Sequence, residues 1–278
     1  MKLVNDHLAV PVRLTHRSAN GFLILAAEVG RWCGPFALPS TARRHLAARL
    51  ARLAQQLTRR DDVVEAVVFR GALRPPGEGA ALLARAGVRP ARHDVVVLIR
   101  TTDADAIDAV RAADDHRSMV SAIRQSARHS YQAAADNAAR IADVDHSAQR
   151  WFLFNYFHCD SAETVYATWE YTAGWFQRNT ALPDSTLLAP RAGESTDYRV
   201  VNHASWPTLR TFLPSLLFRR TFRTFVLANF KANDVAAQPI IYRLAAATGC
   251  AACPAGPSSA PSAAPRTASA GPATPGPR

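Results

Sequence analysis

The chain has 278 residues, of which 48% are hydrophobic and 20% charged, with a formal net charge of +11. That composition supplies a sizeable core for one large domain or two ordinary ones, and it excludes a fibrous or wholly disordered protein. The basic residues are almost all arginines, scattered and often mixed with acids as in Arg59-Arg60-Asp61-Asp62, so the charge argues for a generally basic surface and against a nucleic-acid or membrane partner.

Met1 to Thr15 is interrupted by Asn5, Asp6, His7, Pro11 and Arg13, so it lacks the pattern of a signal sequence. No apolar run reaches the roughly 20 residues that span a bilayer. A soluble cytoplasmic protein is expected, with residues 1–20 as a lead-in.

From Gly21 to Val29 a short apolar run has strand length. Ser40 is placed to cap a helix in which Leu46, Leu50, Leu53 and Leu57 recur at helical spacing to about Arg59. Val63 to Phe69 reads as a second strand. The loop from Arg70 to His93 carries Pro75, Pro76, Gly77, Gly79, Gly87 and Pro90, with a helical turn over Ala80–Ala86. Asp94 to Arg100 is β-branched and reads as a core strand. Asp103 caps a helix to about Ala127, a further helical stretch is assigned to Tyr131–Ala139, and Arg140–Asp145 is a short strand.

The pattern then repeats. Trp151 to Phe157 is an aromatic strand, and Asp160 or Ser161 caps a helix with Val165, Trp169, Thr172 and Phe176 on one face. A turn and second strand occupy Leu182–Pro190, and a third strand Tyr198–Ala204. Ser205-Trp206-Pro207 reads as the start of a long helix to Phe230 that Pro214 kinks or divides. Pro239 to Leu244 closes as a fourth strand. Strand, helix, strand, strand, helix, strand is the ferredoxin-like order. The predicted fold is α+β, with two tandem ferredoxin-like βαββαβ units, residues 21–147 and 148–248, enclosing a pocket. Residues 249–278 form a Pro/Ala/Ser-rich tail expected to be disordered.

The segments Phe152-Leu153-Phe154-Asn155-Tyr156-Phe157 and Tyr198-Arg199-Val200-Val201-Asn202-His203-Ala204-Ser205-Trp206, leading into a helix, resemble the dimeric α/β-barrel superfamily, in particular the antibiotic-biosynthesis-monooxygenase type of domain. The resemblance covers residues 150–244 well and 21–145 loosely. It implies a pseudo-dimeric barrel within one chain, able to pair again as a homodimer. It also implies an oxygenase-like or cyclase-like protein acting on an aromatic or polyketide-type compound without a bound cofactor. In the oxygenases of that superfamily an asparagine on the first strand faces the cavity, and Asn155 matches it. The haem-degrading branch adds a tryptophan on the third strand and a histidine on the next helix. Here Asn202 stands near the tryptophan position, and no histidine lies between Trp206 and Phe230.

Alternation on the strands sets Leu153, Asn155 and Phe157 on one face. An amide in so apolar a strand either bonds within the core or faces a cavity, because an unpartnered buried amide is costly. Asn202 and His203 point to opposite sides, so at most one lines the pocket. A histidine there is a candidate general base, or else a strand-end residue bonded to backbone. The candidate catalytic residues are Asn155, His203 and Asn202, and Phe157, Trp206 and Trp169 are candidate walls for a small-molecule ligand, against the alternative that they fill core. His158, Arg199 and Arg243 are weaker candidates. Asp143-Val144-Asp145-His146 reads as a turn, not a metal site, and Cys250/Cys253 as an incidental pair. No nucleotide, phosphate-loop or zinc-protease motif is present. The rival reading is a non-catalytic ligand-binding or assembly protein on a degenerate barrel, which a filled sheet interior would favour and an open pocket at Asn155 would oppose.

Overall fold

Strand β1 (Gly21–Glu28) runs out of a lead-in that carries a short 3-10 turn at Asp6–Leu8. A two-stranded hairpin, β2 (Trp32–Cys33) and β3 (Phe36–Ala37), precedes α1 (Thr41–Leu57), β4 (Val63–Leu73) and α2 (Ala80–Arg85). Then come β5 (Val95–Thr101), α3 (Ala106–Ala112), α4 (Asp114–Ser126) and β6 (His129–Ala142). The second half holds β7 (Trp151–His158), α5 (Ala162–Thr180), β8 (Asp184–Pro190), β9 (Val200–Trp206), α6 (Leu209–Phe218), a π-helical stretch (Phe222–Leu227), α7 (Ala228–Ala232) and β10 (Ala236–Leu244). This computed structural model describes residues 1–194 and 197–245. The tail and the Cys250/Cys253 pair lie outside the described residues.

Eight strands pair antiparallel into a ring, in the order β1-β5-β4-β10-β7-β9-β8-β6 and back to β1. Closure leaves no free edge in that ring. Within the first half the strand order is β6-β1-β5-β4, and within the second it is β10-β7-β9-β8. The halves meet at two seams, one pairing Ala135 of β6 with Pro190 of β8 and the other Leu244 of β10 with Phe69 of β4.

Both faces of the ring are covered, which is why its strands read as near-continuous apolar runs. Phe22, Phe69, Phe152, Phe154 and Tyr156 fill the barrel interior. Leu23 and Val97 face α1, α3 and α4 in one outer layer. Leu153, Phe157 and Ala204 face α5, α6 and the π-helical stretch in the other. The aromatic strand therefore borders a packed interior, and the hollow expected between the two sheets is occupied by side chains.

The caps form as the sequence indicates. Ser40 Oγ accepts from Arg43 N–H, and Ser161 Oγ from Thr164 N–H. Asp103 Oδ1 accepts from the N–H groups of Asp105 and Ala106. Three expectations are corrected. Tyr131–Ala139 is strand, not helix, because β6 is held between β1 and β8 and tertiary pairing overrides the helix propensity of its alanines. β9 continues through Trp206, which pairs with Trp151, so the helix starts at Leu209. The long helix divides at Arg219, in extended conformation, and not at Pro214, which stays inside α6. Pro239 lies within β10, opposite Asn155. Its missing N–H falls on the side where Ala237 bonds Glu78, before the first pair with β4.

The lead-in is strapped across the helices of the second half. Asn229 accepts from Val4 N–H and donates to Val4 O. At Gly174 of α5 the strap comes so close that an added Cβ would fall 1.8 Å from Val10 O. All described residues belong to one compact unit, and no helix among them is long and apolar enough to cross a membrane.

Candidate functional site: a cleft on the outer face of the second half

Alternation on β7 turns Leu153, Asn155 and Phe157 outward, toward the helices. In register, Asn155 stands between Asn202 of β9 and Pro239 of β10. Above this floor, α5 contributes Trp169, Thr172 and Phe176, and α6 contributes Phe212 and Leu216. Phe222, Val226 and Phe230 complete the roof, and Pro75, Pro76 and Gly77 from the first half stand at one end. The space between is a narrow cleft of two adjoining lobes, about 40 Å³ each, enough for a few waters. Leu153, Asn155, Phe176, Trp206 and Phe230 border both lobes.

The polar groups of the cleft are few, and they differ in how they are satisfied. Asn202 Oδ1 accepts the Ser185 hydroxyl at 2.7 Å. Trp206 Nε1–H donates to Thr180 Oγ1 at 3.1 Å. Thr172 Oγ1–H donates back to Thr168 O within its helix. Asn155 Oδ1 is buried with no hydrogen-bond partner. A buried amide oxygen without a donor costs roughly 1–3 kcal/mol, so the position is either stored strain or a place for a ligand donor.

Five of the six residues singled out from the sequence, Asn155, Asn202, Phe157, Trp169 and Trp206, line this cleft. His203 does not. It points into the barrel, stacked on Phe154 with ring centroids 4.1 Å apart. Its Nδ1–H donates to Leu153 O at 2.9 Å, and its Nε2 faces His146 Nε2 at 2.8 Å. His146 Nδ1 in turn meets Glu65 at 3.0 Å. Burial, aided by the neighbouring His146, holds His203 well below the usual imidazole range, so it is neutral and its Nε2 accepts the His146 proton. This row, from half-buried Glu65 and His146 to buried His203, is on the far side of β7 from Asn155, with the sheet between. The stretch Asp143–His146 is therefore more than a turn, although no group of three or more His, Cys, Asp or Glu among the described residues is arranged to hold a metal. The sequence did not signal Ser185 as the partner of Asn202, nor Pro75–Gly77 as one end of the cleft. The roof phenylalanines were visible only as an apolar helix face.

No residue lining either lobe is ionisable at neutral pH, and none is His, Cys, Tyr or Met. A haem, as used in one branch of the superfamily the sequence resembles, would find no axial ligand among them. His158, a further candidate, bonds Asp197 O and is buried beside the strand end. Arg199 donates to Cys159 O, and Arg243 lies over the Trp151 ring at 4.6 Å. The described cysteines, Cys33 and Cys159, are free.

No protein-family model and no curated protein matches the chain. Solved structures do. An anthrone oxidase-like protein superposes with a TM-score of 0.59 at 8% identity, covering 84% of this chain and 97% of its own. A provisionally assigned monooxygenase from Fusobacterium nucleatum superposes with a TM-score of 0.51 at 8% identity, covering 82% of this chain and 93% of its own. At that identity the likeness is one of fold: the chain has the dimeric α/β-barrel fold, with the barrel closed within one polypeptide.

Proposed function

We propose that this chain, built on the dimeric α/β-barrel fold, binds a neutral aromatic compound of the phenol, quinol or anthrone type in the cleft over β7 and supports its oxygenation. The observation that carries the reading is the unpartnered amide oxygen of Asn155 in an otherwise apolar wall. A ligand O–H would supply the missing donor, and aromatic surfaces of Trp206, Phe176 and Phe230 would take its rings once the helical roof moves outward, since the cleft as it stands admits only a few waters. An amide also turns over readily, presenting its oxygen to an enolic O–H or its NH2 to a ketone. Asn155 is thus suited to hold both tautomers of an anthrone-like substrate. Oxidation of the ring methylene by O2 to a carbonyl, with release of one water, balances without a further reductant. In this scheme Asn155 positions the enol oxygen and lowers the cost of forming it. The cleft contributes no base, so the proton leaves to solvent or to the product oxygen. The fold of the anthrone oxidase-like protein supports the reading at the level of architecture.

The same strand orders, β6-β1-β5-β4 and β10-β7-β9-β8, support the further proposal that residues 21–147 and 148–248 are two tandem ferredoxin-like units.

A second reading is favoured by one observation, the lack of any ionisable lining residue. On that reading the protein holds its ligand without transforming it. Oxygen uptake with anthrone separates the two. Catalysed uptake that is lost in Asn155→Leu supports the oxygenase. Saturable binding of anthrone, seen by tryptophan quenching, with uptake no faster than without protein supports the carrier. Neither binding nor uptake removes the aromatic ligand itself.

A further inference from the structure

Of the eight large apolar side chains exposed among the described residues, four lie at the β2–β3 hairpin and the end of α6. Phe36 is 62% and Leu38 is 39% exposed at the β2–β3 hairpin, and Leu217 is 40% and Phe218 is 83% exposed at the end of α6. Between hairpin and helix runs an open groove of about 620 Å³, floored by Leu73, Trp151, Leu209 and Leu213. Helix α6 is apolar on both sides: Phe212 and Leu216 face the cleft, and Leu209, Leu213 and Leu217 face the groove. A soluble surface helix ordinarily turns such a second stripe to charge.

The charges around this face are of one sign. Arg219 and Arg220 follow Phe218 directly, Arg223 comes next, and all three are exposed. Arg210 is exposed too, and its spacing of three and seven residues sets it on the stripe of Leu213 and Leu217. Arg31 is exposed at the foot of the hairpin. None of these five arginines has an ion-pair partner among the described residues. The chain carries no Asp or Glu from residue 29 to 60, nor from 198 to 233. The two walls of the groove are therefore apolar prongs beside exposed arginines that have no ion-pair partner among the described residues.

We infer that this face docks on an anionic lipid bilayer, with Phe36, Leu217 and Phe218 entering the interface and the flanking arginines meeting lipid phosphates. Leucine and phenylalanine beside arginine is the composition of elements that lie in the interfacial plane. Each arginine near the surface strengthens attraction to anionic lipid. A nucleic acid would be met by a basic face without protruding apolar tips, and a second copy of the chain would bring an equal set of unpaired arginines against this one. Because α6 also walls the cleft, a docked face would open the groove, and the helix beside it, toward lipid-dissolved aromatic compounds. The docking itself rests on the groove and its charges, not on the reading of the cleft.

The experiment is sedimentation of the full chain with vesicles of phosphatidylcholine alone and of phosphatidylcholine with an equal part of phosphatidylglycerol. Binding to the anionic vesicles and not to the neutral ones is expected. Leu217→Ser/Phe218→Ser and Arg219→Gln/Arg220→Gln should each weaken it by roughly tenfold or more. Arg52→Gln/Arg59→Gln, which removes two exposed charges from α1 and the turn after it, should weaken it much less. All six side chains are exposed, so thermal melts should match the parent and certify the fold. The inference is overturned if anionic vesicles bring down no protein, or if the α1 variant loses as much as the α6 charge variant, which would mean adsorption by net charge alone. It is overturned equally if the serine variant binds like the parent, or if light scattering shows a dimer that the serine variant dissolves while vesicles bind neither.

Discussion

Asn155 and Asn202 are register partners on neighbouring strands, yet only Asn202 has a donor for its amide oxygen, the Ser185 hydroxyl. The pair thus divides into a satisfied core amide and one left open toward a cleft. That asymmetry singles out Asn155 among the polar residues of the outer layer.

Replacing the open member should stabilise the protein. Asn155→Leu removes a buried oxygen without a donor and adds apolar contact with Leu153 and Phe230 across the cleft, a gain of about 1–2 kcal/mol. The thermal midpoint should rise by roughly 2–4 °C for each kcal/mol, while anthrone binding falls. A lowered midpoint would mean that the amide is satisfied in solution.

Replacing the closed member should do the opposite. Asn202→Ala leaves the buried Ser185 hydroxyl without its acceptor and should cost about 1–3 kcal/mol by denaturant unfolding. Asn202→Ala combined with Ser185→Ala should recover part of that loss, since removing both partners leaves less unsatisfied. Two losses that simply add would show that the two side chains do not interact.

Acid should destabilise the chain before its carboxylates titrate. Burial pushes His93 down to about 3, helped by nearby His129 and Arg89, and burial also lowers His116 and His203. In the folded state these imidazoles stay neutral, while in the unfolded chain they take up protons below about pH 6.5. The unfolded state then binds more protons, so stability falls as pH drops through that value. Between pH 6.5 and 5 the cost from His93 alone is about 2 kcal/mol. Asp94 and Asp184, which burial raises, work in the other direction, but only as the carboxylate range is approached. Urea unfolding at pH 7, 6 and 5, about a unit apart, reads this directly. His93→Phe should flatten the profile, and a stability independent of pH over that span would refute the assignment.

Gly174→Ala should loosen the N-terminal strap. The new methyl would meet the Val10 carbonyl, a backbone atom that cannot move aside alone. Either α5 shifts or residues 1–12 lift from the helices, exposing Leu8 and Val12. Limited proteolysis should cut the variant near its N-terminus well before the parent. Equal protection in both would show that the strap tolerates the methyl.

The strands that alternate apolar residues on both faces were legible in the sequence, because a strand buried on two sides must carry an unbroken apolar run. β1, β5 and β7 stand close to where the pattern puts them. Local chemistry fixed the caps in the same way: Ser40 and Ser161 need no distant partner to bond the next turn. β6 was misread in part because its alanines prefer helix in isolation, and only β1 and β8 hold them extended. The face shared by Asn155, Phe157 and Asn202 also followed from alternation. What alternation leaves open is which face looks into the barrel and which toward helices. That choice depends on how the ring closes, with β10 reaching β4 and β6 reaching β8, pairings between residues far apart in the chain. Closure filled the interior with phenylalanine and histidine, sent His203 away from Asn155, and left the open space outside the barrel. The same folding set Arg31 and the β2–β3 hairpin across a groove from α6 and the arginines that follow it. The arginine cluster after α6 is plain in the sequence, but a hairpin about 180 residues earlier can face it only because the ring closes.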